Sequence, residues 1–358
     1  MIRRPEVFDD ETPPPDLRHR EAQVQELIRL LHRARTDHDQ GALLAGPSGV
    51  GKTALGRTVL EEFSHEFGTH WTWIQALGTT TGELFREAIR GAGGSVVDNA
   101  PNDTLPRKLR ETLVGDDLLV LLDEADDIAG TGAVGQLIAV PGVEVVVICH
   151  EPDDWLARAE ADTRQYLHSG RIELRRFGVD ELADILADRA RVGLVDGAVS
   201  RKQLETIADD VAGVAREGIQ TLRAAAEIAN ECEHTSIHDT DVDDAYERAR
   251  ASIREANLQS LPFHHRVLYE LIREGSQVTG RKLHAQYEEI KEGVYANREY
   301  TPISRRSRRN KLNKLRAYDL VERERLDHRW LYAPTDSELI APLTGIDEQQ
   351  IQLKCMTK

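Results

Sequence analysis

Gly46-Pro47-Ser48-Gly49-Val50-Gly51-Lys52-Thr53 is the stretch that decides how this chain is read. It satisfies G-x-x-x-x-G-K-[ST] and lies between a short apolar run, 42–45, and a segment with helical apolar spacing at Leu55, Val59, Phe63 and Phe67. Such a loop lets successive backbone N–H groups converge on phosphate oxygens. It also brings a lysine to the β- and γ-phosphates and sets a hydroxyl where it binds Mg²⁺. All eight residues are therefore expected to hold a nucleotide, with Lys52 also serving the chemistry and Thr53 the metal.

Outward from the loop, strands and helices alternate. Residues 71–76 read as the next strand, and Thr80-x-x-Glu83 is a capping box that opens a helix. The runs 118–122 and 143–148 are continuously apolar and of strand length. Strands buried on both faces look like this, which predicts an α/β fold with a parallel sheet covered by helices. The first run ends in Asp123-Glu124-Ala125-Asp126. Ligands lie beyond the carboxyl ends of parallel strands. Asp123 is thus expected to hold Mg²⁺ together with Thr53, and Glu124 to orient or deprotonate the attacking water. The second run is followed by Cys149 and His150, which places His150 opposite the γ-phosphate.

Residues 1–16 are polar and proline-rich and read as an arm, after which 18–35 carry helical spacing. From about Asp180 the pattern is all helical, with segments near 180–192, 200–211, 215–232 and 241–257. The second opens on the box Ser200-x-x-Gln203. Gly213-Val-Ala-Arg216 precedes an alanine-rich amphipathic helix. A cation at a helix start is disfavoured by about 0.3–1 kcal/mol, and a ligand phosphate would offset that cost.

From Leu261-Pro262 onward, helices over 263–273, 279–292 and 304–318 precede a hairpin over 320–333, which is a winged-helix order. The third helix crowds Arg305, Arg306, Arg308 and Arg309 into its first turns, followed by Lys311, with Leu312 and Leu315 marking an inward face. Residues 298–332 hold eleven basic and five acidic groups, net +6, in a chain whose formal charge is −16, so the remainder carries −22. A basic island on an acidic protein is a partner surface. Cations at a helix N-terminus match the way a recognition helix meets bases and phosphates of duplex DNA. Arg323, Arg325 and Arg329, beside Trp330 and Tyr332, extend the surface along the wing.

Of the 46 basic residues only nine are lysine. An acidic, lysine-poor composition suits a salt-rich cytoplasm, and a GC-rich genome would produce the same arginine bias. Cys149, Cys232 and Cys355 are far apart and form no C-x-x-C pair, so neither a zinc site nor a disulfide framework is indicated. The longest apolar runs are too short to span a bilayer, and no apolar leader opens the chain. A cytoplasmic protein without a membrane partner is expected.

With these features together, the chain resembles the archaeal Orc1/Cdc6-type initiators, AAA+ ATPases with a C-terminal winged helix, and within them a divergent haloarchaeal paralogue. Leu17-Arg-His19-Arg20-Glu21 is similar to the family's adenine-side motif and Leu121-Leu-Asp-Glu-Ala-Asp126 to its Walker B. Gly213-Val-Ala-Arg216 is similar to its sensor 2, and Pro302-Ile-Ser-Arg-Arg306 through Leu315 to its recognition helix.

The resemblance implies an arm (1–16), a five-stranded AAA+ base (17–175), a helical lid (176–258), a winged helix (259–336) and a tail (337–358). It implies ATP or ADP with Mg²⁺, Arg216 on the phosphates, replication-origin duplex as partner, and help in loading the MCM helicase. A monomer in isolation that assembles on DNA is expected. His150 stands where the family's sensor 1 has asparagine, which implies slow or lost hydrolysis. Arg164 is the nearest candidate for an arginine finger, with Arg158 its rival. A nucleotide-binding DNA regulator, transcriptional or plasmid-specific and with weak or no ATPase activity, is the alternative.

Overall fold

Alternation along the central strands sorts their side chains onto two apolar layers. The computed structural model describes residues 1–10, 12, 14, 16–37, 40–128, 131–296, 298, 300–326 and 329–343. Cys355 and the tail beyond residue 343 lie outside the described residues. Strands β1 (Ala42–Ala45), β2 (His70–Gln75), β3 (Leu118–Asp123), β4 (Val143–Cys149) and β5 (Arg171–Glu173) form one parallel sheet in the order β2-β3-β4-β1-β5. Leu118, Val120 and Leu122 of β3 pack into one core and Leu119 and Leu121 into the other.

The second of these cores is closed by α1 (Glu21–Asp37) and α2 (Lys52–Phe67). The first is closed by α3 (Thr81–Gly91), α4 (Leu105–Thr112), α5 (Gly132–Ile138), α6 (Pro152–Arg158) and α7 (Ala161–His168). Each buried aliphatic side chain contributes roughly 1.5–3 kcal/mol. The continuous apolar runs in the sequence are therefore what a two-faced sheet requires. The expected box at Thr80 is present, with Glu83 N–H donating to the Thr80 hydroxyl and Thr80 N–H to the Glu83 carboxylate.

Helices α8 (Val179–Gly193), α9 (Arg201–Asp210) and α10 (Ala215–Glu231) and the start of α11 (Asp239–Ser260) bury a separate core that includes Leu182, Leu186, Ile207, Leu222 and Ala225. The segment read from sequence as an arm belongs to this core. Its 3-10 turn Pro5–Phe8 buries Val7 and Phe8 there, with Phe8 at 0% exposure. Gln220 Nε2 donates to Phe8 O at 2.8 Å, and Arg189 donates to Val7 O. A side chain at Gly193 would meet the Phe8 ring at 2.6 Å, so this close approach needs glycine.

The chain divides into two compact units, with the boundary between Ala249 and Arg250, inside α11. In the second unit α12 (Phe263–Gly275), α13 (Gly280–Val294) and α14 (Arg305–Ala317) pack with an antiparallel sheet. That sheet comprises β6 (Val278–Thr279), β7 (Val321–Leu326) and β8 (Arg329–Pro334) in the order β6-β8-β7. The two-residue β6 is too short to show an alternation and was not legible in the sequence. The first part of the tail packs on α12: Tyr269 Oη donates to Asp336 O and Leu339 O, and Ala341 N–H donates to Glu270 Oε1 at 2.6 Å.

Candidate nucleotide site and nucleic-acid interface

Parallel register sets Ala45 beside Cys149 and Gln75 beside Asp123. The loop at 46–53, Glu124 and His150 consequently leave the sheet along one edge. Gly46, Gly49 and Gly51 have φ of 144°, 74° and 89°, values an L side chain rarely adopts. A Cβ at Gly46 would also stand 2.2 Å from Leu174 O.

Lys52 is only 6% exposed. Its Nζ donates to Gly46 O and Pro47 O, both at 2.7 Å. Burial lowers its pKa, while the carboxylates of Glu124, Asp123 and Asp126 act in the opposite sense. A buried ammonium bonded to neutral carbonyls, under a loop of left-handed glycines, fits a polyphosphate.

Asp123 is likewise 6% exposed. Its Oδ2 accepts from Thr53 Oγ1 at 2.8 Å and Trp73 Nε1 at 3.3 Å, and its Oδ1 accepts from Glu124 N–H at 2.9 Å. Burial raises its pKa, the Thr53 hydrogen bond opposes that, and the Glu124 charge adds to it. A hydroxyl touching a buried carboxylate is a donor set suited to Mg²⁺, whose charge would favour the ionised acid. Glu124 has φ 54°, a left-handed conformation that costs a non-glycine residue about 1–2 kcal/mol. The strained residue is thus the one expected to handle water.

His150 is fixed by a residue to which sequence reasoning assigned no role. Asp126 Oδ2 accepts from His150 N–H at 2.7 Å and lies 2.9 Å from His150 Nδ1. With Nδ1–H donating to that carboxylate, Nε2 of a neutral ring is left as an acceptor, unlike an asparagine amide, which donates. No local spacing signals this pairing.

Both arginine-finger candidates rest on main-chain carbonyls. Arg164 donates to Leu156 O at 3.1 Å and Ala159 O at 2.9 Å, capping α6, and Arg158 donates to Asp126 O at 3.2 Å through both terminal nitrogens. Both guanidinium groups bond to main-chain carbonyls of their own chain.

The lid meets the phosphate loop directly. Arg216 N–H donates to Gly49 O at 3.2 Å, and a Cβ at Gly49 would stand 2.6 Å from Val214 Cγ1. The Arg216 guanidinium holds Asp10 of the N-terminal segment, Nη2 to Oδ2 at 2.7 Å. Arg20, quoted for its motif but given no task, is 4% exposed. It donates to Val50 O at 3.2 Å and Arg175 O at 2.7 Å and lies 3.7 Å from the Phe177 ring centroid. Burial pulls its pKa down to about 10. It braces the loop from the adenine-side segment.

In the winged unit Ser304 caps α14 by accepting from Ser307 N–H at 3.2 Å. Arg305, Arg306 and Arg309 are exposed on its first turns, and Arg325 and Arg329 on the wing. Lys311 is half-buried. Arg323 lies 4.0 Å from the Trp330 ring centroid.

Arg308, expected on the DNA face, is 4% exposed, bonded to Glu288 at 2.8 Å and set over the Tyr287 ring at 4.4 Å. Its place in the helical period turns it inward beside Leu312 and Leu315. We correct its assignment to packing.

Among the described residues no helix is long and apolar enough to cross a membrane. Residues 16–210 match the AAA ATPase domain family, and residues 183–247 match the Cdc6 AAA+ ATPase-type lid domain. The chain is 28% identical over 344 residues to ORC1-type DNA replication protein 9 of Halobacterium salinarum, covering 94% of this chain and 95% of that one. The Aeropyrum pernix ORC1 protein, solved in complex with DNA, has a similar fold at TM-score 0.71 and 19% identity, covering 99% and 96% of the two chains. Cdc6p of Pyrobaculum aerophilum is similar at TM-score 0.63 and 22% identity, covering 99% and 98%.

Proposed function

The chain belongs to the AAA+ ATPases of the Orc1/Cdc6 type, and from that premise we propose that it is an ATP-binding, slowly hydrolysing replication initiator. It binds origin duplex through its winged helix and helps recruit the MCM helicase. ATP with Mg²⁺ supplies the labile phosphoanhydride and the cation that neutralises its oxygens. The loop 46–53 binds the phosphates with main-chain N–H groups and Lys52, Thr53 and Asp123 hold the metal, and Arg216 reaches the phosphates from the lid. Glu124 orients the attacking water and takes its proton at the carboxylate. Arg305, Arg306 and Arg309, with Lys311, Arg325 and Arg329, meet DNA.

One observation carries this reading: three exposed arginines occupy the first turns of α14, the end of the dipole that repels cations, on a unit built as a winged helix. Duplex affinity measured against salt tests it. Each phosphate contact adds about −0.9 to the slope of log K on log[salt]. Replacing Arg305 and Arg309 together by alanine should flatten the slope by about two. An unchanged slope would sink the interface.

The regulator reading is favoured by the His150–Asp126 pair, which leaves the sensor position without the neutral donor an asparagine provides. Single-turnover hydrolysis decides between them. A faster rate in the native chain than in Glu124→Gln supports the slow ATPase, and equal background rates support the regulator.

A further inference from the structure

The turn joining α10 to α11 carries a set of metal-donor side chains away from both sites described above. Cys232 caps the end of α10, and Glu233 follows with φ 59°. His234 N–H then bonds back to Ala229 O at 2.8 Å before α11 begins. The fold-back brings Cys232 Sγ, a ring nitrogen of His234 and a carboxylate oxygen of Asp241 within 4.8 Å of one another. His234 Nδ1 lies 2.9 Å from Asp241 Oδ2, and the His238 ring stacks on His234 with 3.9 Å between centroids. Asp241 is 2% exposed, whereas the thiol lies at the surface.

We propose that this turn binds one Zn²⁺ through Cys232, His234 and Asp241, with water as the fourth ligand. A thiolate, an imidazole and a carboxylate form a borderline-soft donor set of the kind that holds zinc. Donors 2.0–2.3 Å from a tetrahedral ion stand about 3.3–3.8 Å apart. The observed set therefore needs only about an ångström of contraction at its widest, which rotation of the exposed Cys232 side chain can provide.

Asp241 also accepts from His238 N–H at 2.8 Å as a cap of α11. Capping explains the carboxylate without an ion, but it does not explain the thiol and imidazole gathered beside it. Zinc takes the thiolate, so binding displaces the Cys232 thiol proton, while a neutral His234 ring ligates without losing one. The ion would clip the end of α10 to the start of α11. The spacing Cys232-x-His234 with Asp241 seven residues later contains no C-x-x-C, which is why cysteine spacing alone gave no zinc site.

The test uses the full-length, untagged chain stripped with a chelator and titrated with Zn²⁺, and with Co²⁺ as an optical probe. One equivalent of Co²⁺ should give a thiolate charge-transfer band that disappears in Cys232→Ser and persists in Cys355→Ser. His234→Gln should weaken Zn²⁺ binding at least tenfold. Zn²⁺ at a hundredfold excess over its Kd should raise the Tm of the native chain by about 5 °C and leave Cys232→Ser unmoved. Cys232 is exposed, so that variant is expected to fold. No thiolate band at one equivalent, or a band that survives Cys232→Ser, would overturn the site.

Discussion

Lys52 and Asp123 are each 6% exposed and held by neighbours on several sides, whereas Arg305, Arg306 and Arg309 lie in solvent on α14. The proposed nucleotide site is built into the fold without a ligand, and burial marks the residues proposed to work there. On the proposed DNA face burial has the opposite meaning. Arg308 belongs to the same basic run, yet its guanidinium lies between Glu288 and Tyr287, where a phosphate does not reach it. A compact ligand with fixed geometry favours buried, pre-oriented groups. A polyanion that spans a whole face favours exposed, salt-sensitive ones.

Mild acid should separate the two regions most strongly. Burial and the nearby Lys311 hold His264 down at about 4, with its Nδ1 2.8 Å from Tyr295 Oη. His284 is held at about 4 by burial and then by Arg308, Arg305 and Arg309. His265 is depressed further by burial, with Lys311, Lys314 and His264 adding to it.

A histidine whose folded pKa lies below its unfolded value near 6.5 binds more protons when unfolded. The winged unit should therefore lose stability as pH falls from about 6.5 to 4. Glu270, raised by burial, offsets part of this. Asp123 is raised in the nucleotide site, so its contribution grows as pH falls. Hydrogen exchange across pH 4–7 should show residues beyond 250 opening first. Simultaneous opening of both units would break the comparison.

The next largest effect sharpens the meaning of burial within α14. Arg308→Ala should destabilise the winged unit by roughly 1–3 kcal/mol, because it removes a buried guanidinium with its ion pair and ring contact. Glu288 is half exposed, which keeps the figure below that of a fully buried pair. Arg305→Ala and Arg309→Ala should stay within about 0.5 kcal/mol while lowering duplex affinity. Denaturant midpoints measured beside DNA titrations read both. An Arg308→Ala chain of native stability with weaker DNA binding would return Arg308 to the interface.

Local pattern made much of this legible. The phosphate loop, the two-faced strands at 118–122 and 143–148 and the boxes at Thr80 and Ser200 are short-range signals, and each stands where the sequence placed it. The features that escaped join residues far apart. Phe8 enters a core built from residues beyond 177, Asp126 orients His150, and Glu288 draws Arg308 inward. The charge run on α14 announced a polyanion surface, and the helical period sets Arg308 on the line of Leu312 and Leu315. What it lacked was the acid on α13 that makes the inward position tolerable.

The smallest effect concerns Asp10, through which the N-terminal segment holds Arg216. Asp10 holds the Arg216 guanidinium, while its neighbour Asp9 holds Arg223 at 2.9 Å. A nucleotide phosphate that recruits Arg216 must compete with the Asp10 carboxylate. That pair is partly exposed, the two side chains at 28% and 45%, so it is worth under about 1 kcal/mol, and Asp10→Asn should tighten ATP binding by about threefold at low salt. At 1 M salt the Debye length falls to about 3 Å and the gain should vanish. Asp9→Asn is the control, since it removes the same charge one residue away without releasing Arg216. Equal tightening in both variants would mean that general charge, not competition for Arg216, sets the affinity. The N-terminal segment would then act on the nucleotide site only by packing Val7 and Phe8 into the lid.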